Sequence, residues 1–413
     1  TELTLPAALV LLEGGIVAVI AAKIYQVSPF TISLITAAPM FANLSSFLWN
    51  MLSAGKAKVA FANVLQICTI LCLLLVAIAP VNETGVIILV SSMIVSRVLV
   101  SGLITVRSVI WSLNYHRGNR AKATSRLQMI ASLVTVLVSS SIGPFLDANP
   151  DEFIWVYVFG SFVGLAGTFF FSRVNVVGEQ KQLNDEVLAA ADNSTATGFL
   201  EIIKKDRYFR RYQYSMFSAG FGNMLIEAPL VYLVTRELQA SYTMSIMLTM
   251  VVPFAVSLVA LPLWALYLDR VHVAQFRARQ SILWVLAQLL TLVGAYMGSL
   301  AWLMAGRFIM GIARGGGTLA WQLGHNDFAN PDQLSAYMGI HVTLTGVRGA
   351  IAPFLGMALY IGVPTISWAG IGSAVFLIAA LISACAGVGF YRLFITLRKA
   401  DLIDVRARTP DQT

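Results

Sequence analysis

The chain has 413 residues, of which 58% are apolar and only 12% charged, with a net charge of +8. A soluble domain carries roughly 25% charged residues, so a chain solvated on all sides is excluded. The cations gather in loops on one side of a series of apolar segments, which argues for a membrane orientation signal and against a nucleic-acid surface.

Crossing a bilayer as a helix takes about 20 mostly apolar residues. Twelve such segments follow one another, near 5–26, 29–53, 59–80, 86–112, 125–146, 153–173, 212–235, 241–268, 280–298, 300–323, 334–361 and 366–396. The strand-like alternation over about ten residues that a membrane barrel requires is missing. An all-α polytopic membrane protein is predicted.

The first span carries Glu13 and no basic leader, so it does not read as a removable signal peptide, and a short preceding segment is expected to be missing. Lys56 and Lys58 follow the second span. Cys68 and Cys72 in the third, like Cys385 in the twelfth, read as buried small hydrophobes. The fourth span holds Arg97 and, nearer its end, Arg107, placed to snorkel. Arg117, Arg120 and Lys122 precede the fifth.

A polar stretch over 174–211, containing GEQKQLNDEVLAAADNSTATG, divides the chain into an N-terminal bundle, 1–173, and a C-terminal bundle with its tail, 212–413. It reads as a solvated linker with an amphipathic helix near 198–208. Beyond it, Glu227 lies in the seventh span, and Met244, Met247 and Met250 recur at helical spacing in the eighth, a packing stripe before it is a soft-metal site. Arg270, Arg277 and Arg279 read as loop cations. Arg307 and Arg314, two turns apart on one helix face, lie in the tenth span ahead of Gly315, Gly316 and Gly317; these glycines predict close helix approach or a soft point. His341 and Arg348 lie in the eleventh. The tail adds Arg398, Lys399, Arg406 and Arg408, whereas the opposite loops keep only Lys23 and Arg236; both termini are therefore expected in the cytoplasm.

The two halves repeat each other. At an offset of 210, Arg97 and Trp111 fall on Arg307 and Trp321; at 214, TISLITAAP falls on SIMLTMVVP and Glu13 on Glu227. Arg314 and Arg348 have no such mates, their counterparts being Ile104 and a small or apolar position near Val138. A charge at the bilayer centre costs roughly 2.5–3.5 kcal/mol on insertion scales, so it faces a cavity or a partner. Five intramembrane arginines against two acids leave positive charge over, which an anionic solute would balance through the bidentate guanidinium.

Twelve spans in two repeat-related groups of six, joined by a long polar loop, resemble the major facilitator superfamily. SAGKAKVA and LDRVHVAQFRARQ stand where that family has its Gly-x-x-x-Asp-Arg-x-Gly-Arg-Arg loop motif and keep it only in part; SRVLVSGL resembles its Arg-then-Gly pattern in helix 4 with the spacing one residue longer, and GRFIMGIARGGG resembles it more closely in helix 10. The resemblance implies two pseudo-symmetric bundles with the first helix of each three-helix repeat lining a central cavity, and transport by alternating access. It makes Glu13 and Glu227 the proton-coupling candidates, and Arg97, Arg307, Arg314, Arg348 and His341 the substrate-binding candidates; the alternative is structural, with each acid neutralising an arginine, Arg97 and Arg307 clamping helices and His341 a satisfied polar residue.

The expected activity is proton-coupled transport of a small organic, anionic solute across a prokaryotic inner membrane by a monomer. Efflux of lipophilic drugs or lipid flipping is the alternative; copper uptake through the methionines and a non-transporting receptor are weaker ones. No phosphate-binding loop, zinc-hydrolase motif or hydrolase triad occurs, so neither an enzyme nor a cofactor is expected.

Overall fold

The computed structural model describes residues 4–115, 117–181, 183, 198–330, 333–363, 365 and 367–402, with only the backbone for 46, 47, 50, 117–125, 198–200 and 335. The linker stretch 184–197, the tail cations Arg406 and Arg408, and the side chains of Arg117, Arg120 and Lys122 lie outside what is described. Among the described residues all regular elements are helices, apart from one isolated bridge between Val363 and Trp368.

The first expected span is two helices, α1 (Leu5–Leu9, extended by a 3-10 turn to Leu12) and α2 (Gly14–Lys23), bent by 50°. Then come α3 (Pro29–Ser53), α4 (Lys58–Ala77), α5 (Glu83–Asn114), α6 (Arg117–Ala148) and α7 (Phe153–Phe171). The short α8 (Gly198–Lys205) falls where the amphipathic helix is expected. The seventh span is α9 (Arg207–Leu225) and α10 (Glu227–Tyr232); the eighth is α11 (Tyr242–Ile246) and α12 (Val252–Leu268). The rest are α13 (Val273–Met297), α14 (Leu300–Leu323), α15 (Leu334–Ile361) and α16 (Ala374–Lys399). By length and apolarity nine of the described helices qualify to span a membrane, ten with the bent first pair. Arg307, Arg314 and the glycines of 315–317 dilute the apolarity of α14, which is not among them.

Local chemistry sets the ends. Ser28 accepts from the Thr31 N–H ahead of Pro29 at the start of α3, and Asn82 accepts from Gly85 N–H to open α5. Asp206 takes the N–H groups of Tyr208 and Phe209 at the start of α9, and Gly298, with φ of +60°, closes α13 in the left-handed conformation. Two π-helical turns, Leu233–Glu237 and Met247–Val251, widen the seventh and eighth spans.

The chain divides into two compact units. The first is Thr1–Ser194 together with Val234–Met250; the second is Thr195–Leu233 together with Val251–Thr413. The second unit has a core of Phe209, Tyr212, Phe276 and Phe390 at one end. In both, large apolar side chains such as Phe159, Phe162, Val259, Ile282 and Val388 stand exposed, as hydrocarbon-facing residues must. The glycines of α14 serve close approach rather than softness, for the helix runs unbroken. A side chain at Gly311 would meet Val256 at 2.7 Å, and one at Gly315 the Ser257 carbonyl at 2.9 Å.

Four sequence expectations need correction. Arg277 is not a loop cation: α13 begins at Val273, so its first turns are already packed and Arg277 is 5% exposed. Lys58 opens α4 with its side chain buried, donating to the Ser53 carbonyl, and Arg107 is buried against the Trp111 ring rather than snorkelling. Cys385 is exposed on α16, unlike Cys72.

Candidate functional site

The repeat-related charges pair within each unit. In the first, Glu13 meets Arg97 of α5 in a two-point contact, Oε2 to Nη2 at 2.9 Å and Nη1 donating to Oε1 at 3.2 Å. In the second, Glu227 Oε2 lies 3.6 Å from Arg307 Nη2 of α14. Both acids stand where a span is interrupted. Glu13 itself takes an extended conformation (ψ 132°) between the 3-10 turn and α2, and Glu227 opens α10 just after the break at Ile226. Discontinuous helices put backbone polar groups and side chains into membrane interiors without a continuous ladder to protect them, and they recur where transporters bind ions and solutes.

Exposure separates the partners. The arginine side chains are 10% and 2% exposed, the glutamates 34% and 32%. Each guanidinium is therefore a buried anchor, and each carboxylate is the partner still open on one side. A buried pair of this kind survives only with good geometry, since removing one partner strands the other charge.

The unmatched residues gather in the second unit. Arg348 of α15 is 5% exposed and donates through Nη1 to the Met216 carbonyl of α9. Its guanidinium fills the space that a side chain at Gly220 would need. One turn pair earlier, His341 Nδ1 lies 3.1 Å from Gln213 Oε1, and its ring sits 5.5 Å from that of Trp321. Trp321 in turn donates to Thr345 at 3.1 Å. Arg314 is apart from these, its guanidinium 4.0 Å from the Phe254 ring centre. The structure thus groups His341 with Gln213, Arg348 with α9, and Arg314 with α12.

Sequence reasoning missed two members of this cluster. Gln213 carries no charge and belongs to no repeat or motif that would single it out, and Arg277 is read from the sequence as a loop cation. Arg277 pairs with Gln280 and lies 5.2 Å from the Phe390 ring, close enough to Arg348 for their charges to interact. Among the described residues neither Arg277 nor Arg348 forms an ion pair. Several buried polar atoms there, Arg277 Nε, Arg348 Nε, Gln213 Nε2 and His341 Nε2, have no hydrogen-bond partner. Buried donors beside two guanidinium groups that form no ion pair among the described residues are suited to an anion. The signal that could have found Arg277 is its spacing of three from Gln280 on a helix that starts earlier than apolarity alone indicates.

The methionine stripe divides by burial, Met250 being 1% exposed and Met244 and Met247 half-buried. Among the described residues no group of three or more His, Cys, Asp or Glu is placed to hold a metal ion.

The chain matches the family model of the Major Facilitator Superfamily over residues 7–275. A search of curated protein sequences finds no match. Solved structures similar to it include a mutant of the nucleoside transporter NupG, with TM-score 0.71 and 12% identity over 95% of this chain and 99% of that one. A mutant of the peptide transporter POT in complex with alafosfalin gives 0.69 and 13% over 98% and 95%. The xylose transporter XylE from E. coli, in its inward-open conformation, gives 0.66 and 14% over 99% and 97%. At these identities the likeness is one of fold. With the family model spanning well over half of the sequence, the chain belongs to the major facilitator superfamily.

Proposed function

We propose that this protein is a proton-coupled secondary transporter that moves a small organic, anion-bearing solute across a prokaryotic inner membrane by alternating access. The observation that carries the reading is the repeated pair: two acids, each at a break in its span and about one-third exposed, each backed by a buried arginine. A solute carboxylate competing for the guanidinium would release the glutamate, whose open side then takes a proton. Solute and proton together leave the local charge unchanged, which limits the cost of moving both through a low-dielectric interior.

In this reading Glu13 and Glu227 carry the proton-sensitive step and Arg97 and Arg307 hold them. Arg348, His341 and Arg314 meet the solute, with Arg277 and Gln213 added to the same unit. The solute classes printed for the similar structures, nucleosides, xylose and peptides, supply the first panel to try alongside simple carboxylates. A non-transporting scaffold would have all its intramembrane charges mutually neutralised, and the arginine pair Arg277 and Arg348 weighs against that.

The test is uptake of labelled solutes by proteoliposomes under an imposed pH gradient. Acid-driven accumulation is expected for the wild type, while Glu13→Gln and Glu227→Gln retain exchange and lose accumulation. Transport indifferent to the gradient would reject proton coupling, and uptake confined to neutral solutes would reject the anionic class.

A further inference from the structure

The outer face of α16 carries two adjoining grooves that the transport reading does not use. One, of about 700 Å³, runs between α13 and α16 and is lined mainly by Ile282, Val285, Leu286, Leu289 and Val388, with Gln275 and Arg279 where α13 begins. The other, of about 620 Å³, lies between α9 and α16 and contains Arg211, Arg392, Tyr214 and Thr396. Tyr391 borders both and is 57% exposed.

The sequence Gly387-Val388-Gly389 makes the two grooves. A side chain at Gly387 would meet Ser281 Cβ of α13 at 2.9 Å, and one at Gly389 would overlap Ser215 of α9. Helix α16 therefore touches both neighbours through small residues, and the larger side chains to either side become walls instead of fillers. No acidic residue lines either groove. Arg211 and Arg392 are both exposed and form no ion pair among the described residues. An apolar channel beside a pair of unneutralised arginines, with a tyrosine at the junction, matches an amphiphile with an anionic head and a hydrocarbon tail. Basic pockets between helices on the side that follows the positive-inside rule are suited to such headgroups.

We infer that this face binds an anionic phospholipid, its phosphodiester held by Arg211 and Arg392 and one acyl chain laid in the groove between α13 and α16. The shared chemistry with a soluble phosphoester is the phosphate; the apolar groove beside it is what selects the lipid. The site lies wholly in the second unit and does not depend on the nature of the transported solute.

The experiment is the thermal stability of purified full-length protein in detergent, titrated with phosphatidylglycerol, phosphatidylcholine or glycerol 3-phosphate. Phosphatidylglycerol is expected to raise the melting temperature in a saturable way, and the other two to leave it unchanged. Arg211→Gln with Arg392→Gln is expected to weaken apparent binding about thirtyfold, the loss that two arginines at an anionic surface would give. Val388→Trp, at an exposed position that cannot disturb the core, is expected to block the groove and weaken phosphatidylglycerol binding with both arginines intact. Equal stabilisation by phosphatidylcholine, equal stabilisation by glycerol 3-phosphate, or undiminished binding by both variants would each overturn the inference.

Discussion

The guanidinium of Arg348 rests against Gly220 in the place where any larger residue would put its side chain. Helix α15 thus presses its charge onto the backbone of α9, and the fit requires glycine there for space, not for an unusual backbone angle. The contact makes Gly220 a handle on Arg348 that leaves the arginine itself untouched.

Gly220→Ala is expected to push the Arg348 guanidinium aside, at an overpacking cost of about 1–3 kcal/mol. Solute affinity should fall with it while proton-driven accumulation of whatever still binds is kept. Isothermal titration against the transported solute and a melting curve measure the two effects. Unchanged affinity would mean that Arg348 takes no part in binding.

The unequal exposure of the paired partners predicts an unequal response to truncation. Glu13→Ala leaves a guanidinium that is 10% exposed without its carboxylate, and the loss should approach the roughly 3–5 kcal/mol typical of a stranded buried charge. Arg97→Ala leaves a carboxylate that is 34% exposed and that water can reach, and should cost clearly less. The double variant should recover part of the Glu13→Ala loss. Denaturation in detergent for the four proteins gives the cycle, and equal losses for the two single variants would contradict it.

Asp147, in the last turn of α6, accepts the N–H groups of Tyr242 at 2.6 Å and Thr243 at 3.0 Å and so caps α11 from another helix. Lys23 and Arg236 add bonds to the carbonyls of Ala240 and Val27. Asp147→Ala should cost about 1 kcal/mol, the usual value of a lost cap. Amide hydrogen exchange should then quicken over 242–250 and stay unchanged in α4. Uniform protection across both would show that the cap holds nothing locally.

His325 lies between α14 and α15, 7% exposed, and its burial holds its pKa below the usual 6.5. The folded state therefore binds this proton less readily than the unfolded one. The stability it contributes is complete above about pH 6.5 and declines as pH falls below that. Melting temperature should drop between pH 7.5 and pH 5.5, and His325→Gln should flatten the drop. A variant with the wild-type slope would remove His325 from the account.

How much of this could be read in advance depended on whether a signal was periodic or local. The match of Glu13 with Glu227 and of Arg97 with Arg307 is carried by the repeat, and these four residues meet as two pairs. The break at Glu13 was hidden, because Gly14 and Gly15 inside an apolar run announce close packing as readily as an interruption. Arg277 was misread because the positive-inside rule counts every cation near a span end as a loop residue, and apolarity marks helix starts only where packing is hydrocarbon-facing. Its burial arises from contacts with Phe390 and Gln280, which are far in sequence or defined only once the helix is drawn. The π-helical turns left no mark that composition or spacing reveals.

Because Val234–Met250 belongs with Thr1–Ser194, the backbone passes from one compact unit to the other three times, near 194, 233 and 250. The polar linker is only the first of these passages. A chain cut there would yield a leading fragment short of seventeen residues of its own body and a trailing fragment carrying them. The two π-helical turns fall at the other two passages, so the most loosely wound parts of the seventh and eighth spans are also the places where the polypeptide changes allegiance.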